Sequence, residues 1–233
     1  MTLPKLVVDG KLTVPLFHGT STLFYDSILA TGLGGRNIFQ ELGLQAIANE
    51  LLKYEEQLAT MPTWLSEKYF LLKMAGEQKP RGHSGFNFRY GGAYVSPSRQ
   101  AAATYALLNK CGSEALAGTL KVIEELMLRF PGLATLEQFS RVLAFANRPR
   151  MPILIEAHDV PEAFLRAEQG GPCGPVLDYI EDNLSDPEIY ETMVGQSNFE
   201  LLSPIPSYQL RFYKIVSPET AYGSLEDLRL EPL

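Results

Sequence analysis

Between residues 12 and 32 the chain reads as a strand that ends in histidine and glycine and turns at once into a capped helix. Leu12 to Phe17 carry the strand, and His18, Gly19 and Thr20 follow it. Ser21 offers an N-cap oxygen to a helix over 21–31, in which Phe24, Ile28 and Leu29 fall on one face. Gly32 stands where that helix needs a left-handed residue to stop, and Leu33 comes next. An imidazole at a strand end, beside a residue with no Cβ, lies next to backbone that a ligand can approach closely.

The other strands are scattered among helices. Residues 41–60 place Leu44, Ile47, Leu51, Tyr54 and Leu58 at three- and four-residue steps, the pattern of an amphipathic helix. Another helix is expected over 66–74, before a loop at Lys79-Pro80-Arg81-Gly82-His83-Ser84-Gly85. Gly92 to Ser96 reads as a short strand, with a helix over 99–109 capped near Ser98. Two more helices, 114–130 and 135–146, are split by Pro131-Gly132. Residues 152–157 (PILIEA) form a strand of the buried type, apolar on both faces. A turn-rich stretch at 170–175 precedes a helix over 176–183. Two strands close the chain, 199–202 and 208–216. In the second, Leu210, Phe212 and Lys214 alternate against Arg211, Tyr213 and Ile215, which leaves its facing open. This order fits an α+β domain with a split, largely antiparallel sheet. The expected organisation is one domain over 1–233, with a helical insert at 36–80 and helices at 113–147.

Composition narrows the class further. The longest apolar runs fall well short of a membrane span, and MTLPKLVVDGK has no signal-like apolar core, so a cytoplasmic protein with no membrane partner is expected. Cys111 and Cys173 make neither a disulfide framework nor a zinc site. A net charge of −7 disfavours broad nucleic-acid binding by charge alone. Lys68, Lys73, Lys79, Arg81, Arg89 and Arg99 crowd the approach to Tyr94, either as a solvated face or to meet an anion. From Glu156 to Glu200 eleven acidic residues face Arg166.

Three blocks together carry a family resemblance. The first is His18-Gly19-Thr20 with Ile28-Leu29 and Gly32-Leu33. The second is Gly91-Gly92-Ala93-Tyr94, with Tyr105 eleven residues beyond Tyr94. The third is Asn198-Phe199-Glu200 opening a late strand. In order and internal spacing they resemble the ADP-ribosyltransferase superfamily, in its His-Tyr-Glu branch of poly- and mono(ADP-ribose) polymerase catalytic domains. The resemblance covers well under half of the chain. It implies the ADP-ribosyltransferase-like split antiparallel β-sheet core with helical insertions, NAD as co-substrate and no metal.

It also implies roles. Glu200 would accept a hydrogen bond from the 2′-hydroxyl of the nicotinamide ribose and stabilise a cationic sugar. His18 would orient NAD, and Gly19 would offer its N–H and C=O to the carboxamide, with Thr20 completing the motif. Tyr94 and Tyr105 would stack on the nicotinamide ring. Arg36 stands where family members often carry a basic residue for the diphosphate, and an ordinary surface arginine is the equal alternative. One position departs from the pattern: many members place a serine three residues before the second tyrosine, where this chain has Ala102, so Thr104, Ser98 or the Gly19 backbone would have to serve. Gln196 and Asn198 occupy the place of the target-recognition loop. The arginine-modifying branch carries Gln or Glu where Asn198 stands, so arginine is disfavoured as acceptor. The expected activity is mono-ADP-ribosylation of a macromolecule, protein or nucleic acid, of the kind found in toxins and in effectors delivered into a target cell.

Two other readings stay open. The tRNA 2′-phosphotransferases share a strand ending in His-Gly-Thr and also use NAD, but rely on arginines and further histidines; three histidines in an acidic chain argue against that group. A module that binds NAD or ADP-ribose without turnover is the third possibility. His83 and His158 have no comparable context.

Overall fold

A computed structural model describes residues 5–70, 92–133, 137–216 and 229–233. The expected loop at 79–85, with His83, Lys73, Lys79, Arg81, Arg89 and Gly91, lies outside the described residues, as does the end of the helix expected over 66–74.

The elements, in chain order, begin with a two-residue hairpin, β1 (Val7–Val8) and β2 (Lys11–Leu12), then β3 (Leu16–Ser21) and α1 (Tyr25–Thr31). Next come α2 (Ile38–Glu41), α3 (Leu44–Leu52), α4 (Glu55–Leu58) and α5 (Pro62–Phe70). After these follow β4 (Tyr94–Val95), α6 (Arg99–Leu108), α7 (Glu114–Arg129) and α8 (Glu137–Ala146). The last third holds β5 (Pro152–Ala157), β6 (Leu165–Ala167), α9 (Gly174–Asp182), α10 (Pro187–Gln196), β7 (Phe199–Leu201), β8 (Leu210–Val216) and β9 (Arg229–Pro232).

The larger strands form two antiparallel sheets, so the architecture is mixed helix and strand as expected. One sheet has the order β3-β5-β8-β9 and the other β4-β7-β6. Among the described residues they meet at an isolated bridge, where Phe17 and Ser96 exchange both backbone bonds (2.7 and 2.8 Å). Strand β5 is central and buried, as its apolar pattern requires: Ile153, Leu154, Ile155 and Ala157 are almost wholly shielded. Its two faces serve two cores. Ile153 and Ile155 join the main cluster with Leu16, Leu210 and Phe212, whereas Leu154 joins Phe17, Ile215 and the Ala102-Ala103-Ala106 face of α6. That settles the facing of β8, with Leu210 and Phe212 to the main core and Ile215 to α6.

Several expectations are corrected in detail. The strand expected over 12–17 runs instead as β3 over Leu16–Ser21, so His18 lies inside it rather than at its end, and Leu12 belongs to the β1–β2 hairpin. The helix expected over 41–60 is three short pieces. Gly43 (φ +65°) breaks the chain before α3, and Lys53 and Tyr54 separate α3 from α4. Leu44, Ile47, Leu51 and Leu58 nevertheless all point inward. Ser21 caps a short 3-10 turn at Thr22–Phe24 rather than the helix itself, and Leu29 is exposed while Phe24 and Ile28 are buried. Gly32 has the expected positive φ of 83°, but its ψ of 165° is extended rather than left-handed helical. Helix α9 begins two residues early, with Pro175 accommodated in its first turn. Elements not foreseen are the β1–β2 hairpin, α2, β6, β9 beyond the two strands expected to close the chain, and α10, whose Asp186 side chain accepts from the N–H groups of Glu188 and Ile189. Among the described residues no helix is long and apolar enough to cross a membrane.

The helical layer from α3 to α5 enters the chain between the His18 strand and the Tyr94 strand. Its α3 and α5 rest on α7, where the Thr63 N–H donates to Glu125 and Lys121 pairs with Glu67, and Leu51, Leu58, Met61 and Trp64 of the layer are fully or nearly fully buried. The insert therefore has its own share of core and leaves β3 and β4 free to meet.

Candidate active site

The site lies where the two sheets part. The N–H and C=O of Phe17 are both spent on Ser96, so the backbone bonds of β3 to β5 fall to Leu16, His18 and Thr20. By the same alternation Gly19 turns its N–H and C=O the way Phe17 does, toward β4. Continued in register, the next β4 partner would be Tyr94, but among the described residues the ladder stops at Phe17 and Ser96. The Tyr94 carbonyl is bonded instead by the ring of His18, at 2.7 Å from Nδ1.

That bond fixes the chemistry of His18. A carbonyl can only accept, so Nδ1 carries the proton and the neutral ring keeps its lone pair at Nε2. Burial pulls its pKa below the ordinary value of 6.5, against the bond it donates to the Tyr94 carbonyl, which raises it. His18 is a neutral acceptor at Nε2 near pH 7.

Gly19 is required by packing. A Cβ there would lie 1.8 Å from the carbonyl oxygen of Ala102 and 3.1 Å from the amide nitrogen of Ala106. Helix α6 therefore lies directly on β3, with alanines on its contact face. Both candidate substitutes for the serine of the resemblance make bonds to the backbone of α6. Ser98 accepts from Ala101 N–H as the N-cap, and the Thr104 hydroxyl donates to the Gln100 carbonyl. The Thr20 hydroxyl donates to the carbonyl of Gly112 at 3.2 Å and pins the loop after α6. Tyr105, on the same helix, is largely enclosed. Its phenol is pushed up to about 12, by burial first and then by the Glu114 carboxylate, against a hydrogen bond from the Glu114 backbone.

The second sheet supplies the charge. Tyr94 on β4 and Glu200 on β7 are directly paired, and so are Glu200 and Arg166 on β6. Directly opposed residues share a face, so Tyr94, Glu200 and Arg166 form a row with the carboxylate in the middle. Two of the three guanidinium nitrogens of Arg166 grip the same carboxylate oxygen, Nη2 at 2.6 Å and Nε at 3.1 Å from Oε2. The two side chains are only 13% and 9% exposed, so water screens the pair weakly. Gly92 closes the other side. A Cβ there would come within 3.3 Å of Glu200 Cγ, 3.4 Å of Glu200 Oε1 and 3.5 Å of Tyr94 Cε2.

The structure thus links His18, Tyr94, Gly92 and Glu200, with Gly19 next to His18 on β3 and packed against α6, and adds Arg166, whose role sequence reasoning missed. Arg36 lies two residues past Gly34, which abuts Leu201 of β7 and Ala93, and its exposed guanidinium pairs with Glu41. The stretch read as a recognition loop is partly helical: Gln196 ends α10 in solvent, and the buried Ser197 donates to the Met193 carbonyl. Asn198 donates its amide to Glu168. The Glu114 carboxyl is pushed up by burial first and by the charge of Glu168 second, so carboxylates gather beyond Tyr105 and Asn198. Lys68, one of the basic residues near Tyr94 in sequence, pairs with Glu55 on the helical layer. His158 stands beside Glu156. Among the described residues no three His, Cys, Asp or Glu side chains are grouped to hold a metal ion.

Chemically, the row offers an aromatic face, an anionic group next to it and a neutral imidazole acceptor, beside an amide and a carbonyl at a gap between sheets. Such a set can hold a flat carboxamide and stabilise positive charge developing near the carboxylate. No protein-family model, curated protein or solved structure matches the chain.

Proposed function

We propose that the chain is an NAD-dependent mono-ADP-ribosyltransferase of the His-Tyr-Glu kind, built on the split-sheet fold of that superfamily. One observation carries the reading: of the residues singled out by their order in the sequence, the His18 ring bonds the Tyr94 carbonyl and Tyr94 pairs with Glu200, beside the Phe17–Ser96 bridge between the two sheets.

In this reading the Gly19 N–H and C=O take the nicotinamide carboxamide, with the rings of Tyr94 and Tyr105 against the pyridinium. Nε2 of His18 accepts from a ribose hydroxyl. Arg36 lies toward the diphosphate, and Gln196 and Asn198 toward the acceptor. The bond between C1′ and the pyridinium nitrogen breaks, and nicotinamide leaves neutral with the bonding pair, so no general acid is needed. Positive charge grows on the sugar, and Glu200 opposes it through the 2′-hydroxyl. The acceptor, a protein side chain or a nucleic-acid group, then bonds to C1′ and gives up its proton.

The test is nicotinamide release from NAD by the purified protein, with mass analysis of protein and nucleic acid for attached ADP-ribose. Glu200→Gln should lower release about 10²–10³-fold, the loss typical of one electrostatic stabiliser. Release that survives this change, or no release from the parent protein, would refute the assignment. Loss of NAD only in the presence of 2′-phosphorylated RNA would point to phosphotransfer instead.

A further inference from the structure

We propose that Arg166 is a positioning residue for Glu200, holding the carboxylate so that one oxygen is committed to the guanidinium and the other is aimed at the Tyr94 side. The proposal deepens the ADP-ribosyltransferase reading and rests on it.

The geometry is asymmetric. A fork-to-fork pair would use both carboxylate oxygens, but here Nε and Nη2 converge on Oε2 alone. Oε1 is turned to Gly92, 3.4 Å from where a Cβ would stand, and that same Cβ would be 3.5 Å from the Tyr94 ring. The terminal torsion of a glutamate is broad and soft, so strand position alone does not fix its plane. A guanidinium on one oxygen does.

Arg166 can impose this because its own strand is held on both sides. β6 pairs in register with β7, and on its other side Arg166 bridges Pro172 while the Ala167 N–H donates to the Gly171 carbonyl at 3.0 Å. The turn at 170–172 is thus a brace behind the arginine, and Gly170 makes it with a φ of +94°.

Two effects of the guanidinium oppose each other. It orients the carboxylate, which favours a fixed transition-state contact, and it offsets part of the negative charge, which does not. In this proposal orientation prevails, because the guanidinium sits on Oε2 from the β6 side, while Oε1 lies on the Gly92 side. Misplacing a reacting or stabilising group by about 1 Å costs roughly 10²-fold in rate.

The experiment is steady-state nicotinamide release from NAD by the full chain and by Arg166→Met and Arg166→Lys, with thermal unfolding of each. Methionine keeps length and packing but gives no donor; lysine keeps the charge without the planar fork. The expected order of kcat is parent, then Arg166→Lys about tenfold lower, then Arg166→Met about 10²-fold lower, at a KM for NAD that stays within about threefold. A merely structural arginine would change the melting temperature of the folded variants but not kcat alone. An Arg166→Met kcat at or above half the parent value overturns the proposal, as does a rise in KM at constant kcat, which would put Arg166 on the substrate instead. Should Arg166→Met fail to fold, an Arg166→Lys kcat within twofold of the parent overturns it equally. If the parent releases no nicotinamide, the functional reading itself fails and this inference goes with it. If the parent releases it and Arg166→Met does so undiminished, only the role of Arg166 is lost.

Discussion

Replacing Gly19 by alanine tests the packing that positions the whole site. The added Cβ would stand 1.8 Å from the Ala102 carbonyl oxygen and 2.8 Å from its carbon, where ordinary contact begins near 3.4 Å. Relief requires α6 and β3 to separate by roughly 1.5 Å, because the obstacle is backbone and no rotamer can turn away. Overpacking of this sort costs about 1–3 kcal/mol, which for a chain of this size lowers the melting temperature by roughly 2–12 °C. Thermal unfolding followed by circular dichroism reads it directly. Since α6 carries Tyr105, the KM for NAD should rise in the same variant. Adding Ala102→Gly should give no recovery: the methyl of Ala102 is not the atom in the way. A melting temperature within about 1 °C of the parent, or recovery in the double variant, would refute the close approach of helix and strand.

Further outcomes follow from the same geometry. At pH 7 the ¹⁵N spectrum of His18 should show the neutral tautomer with hydrogen on Nδ1, and a pattern with hydrogen on Nε2 would contradict the bond to the Tyr94 carbonyl. Its folded pKa lies below the unfolded 6.5, so the folded form binds this proton less readily; stability from this group is full above 6.5 and declines as pH falls through that value toward the folded pKa, a trend His18→Asn should flatten. Gly92→Ala should displace the Glu200 side chain by a few tenths of an ångström and lower kcat about tenfold with little loss of stability, as kinetics and melting measured together would reveal. The thiols of Cys111 and Cys173, both buried and both pushed up chiefly by desolvation, should resist iodoacetamide at pH 8 until the protein is unfolded.

How much of this could be read in advance depends on how local the cause is. Strand β5 was legible to the residue because three consecutive apolar residues have no other use in a strand of that length. Helix α6 was legible through Ser98, whose side chain does accept from the N–H three residues on, and α7 through the Pro131-Gly132 break that follows it; the Ser113 cap of α7 emerged only in the structure. The Asp186-Pro187 pair carried a start signal of equal strength for α10, overlooked in a region that reads mainly as acidic charge. Strand β6 had no such signal. Three residues show no alternation, and its existence depends on β7, which lies more than thirty residues downstream. Arg166 was hidden for the same reason: its partner is set by cross-strand register, which exists only once both strands are paired. The insert misled in the opposite way, since Leu44, Ile47, Leu51 and Leu58 keep one facing across a backbone that breaks twice.

The outer margin of the four-stranded sheet has a consequence for how the molecule behaves in a crowd. β8 carries LRFYKIV, rich in branched and aromatic side chains, and such a ribbon with a bare flank recruits other chains. β9 runs along that flank, with charged Arg229 and Glu231 alternating outward and Pro232 opposite Tyr213. Proline has no amide hydrogen to extend the pairing, so growth of the sheet stops there. Four residues at the rim thereby keep a sticky ribbon from seeding fibrils.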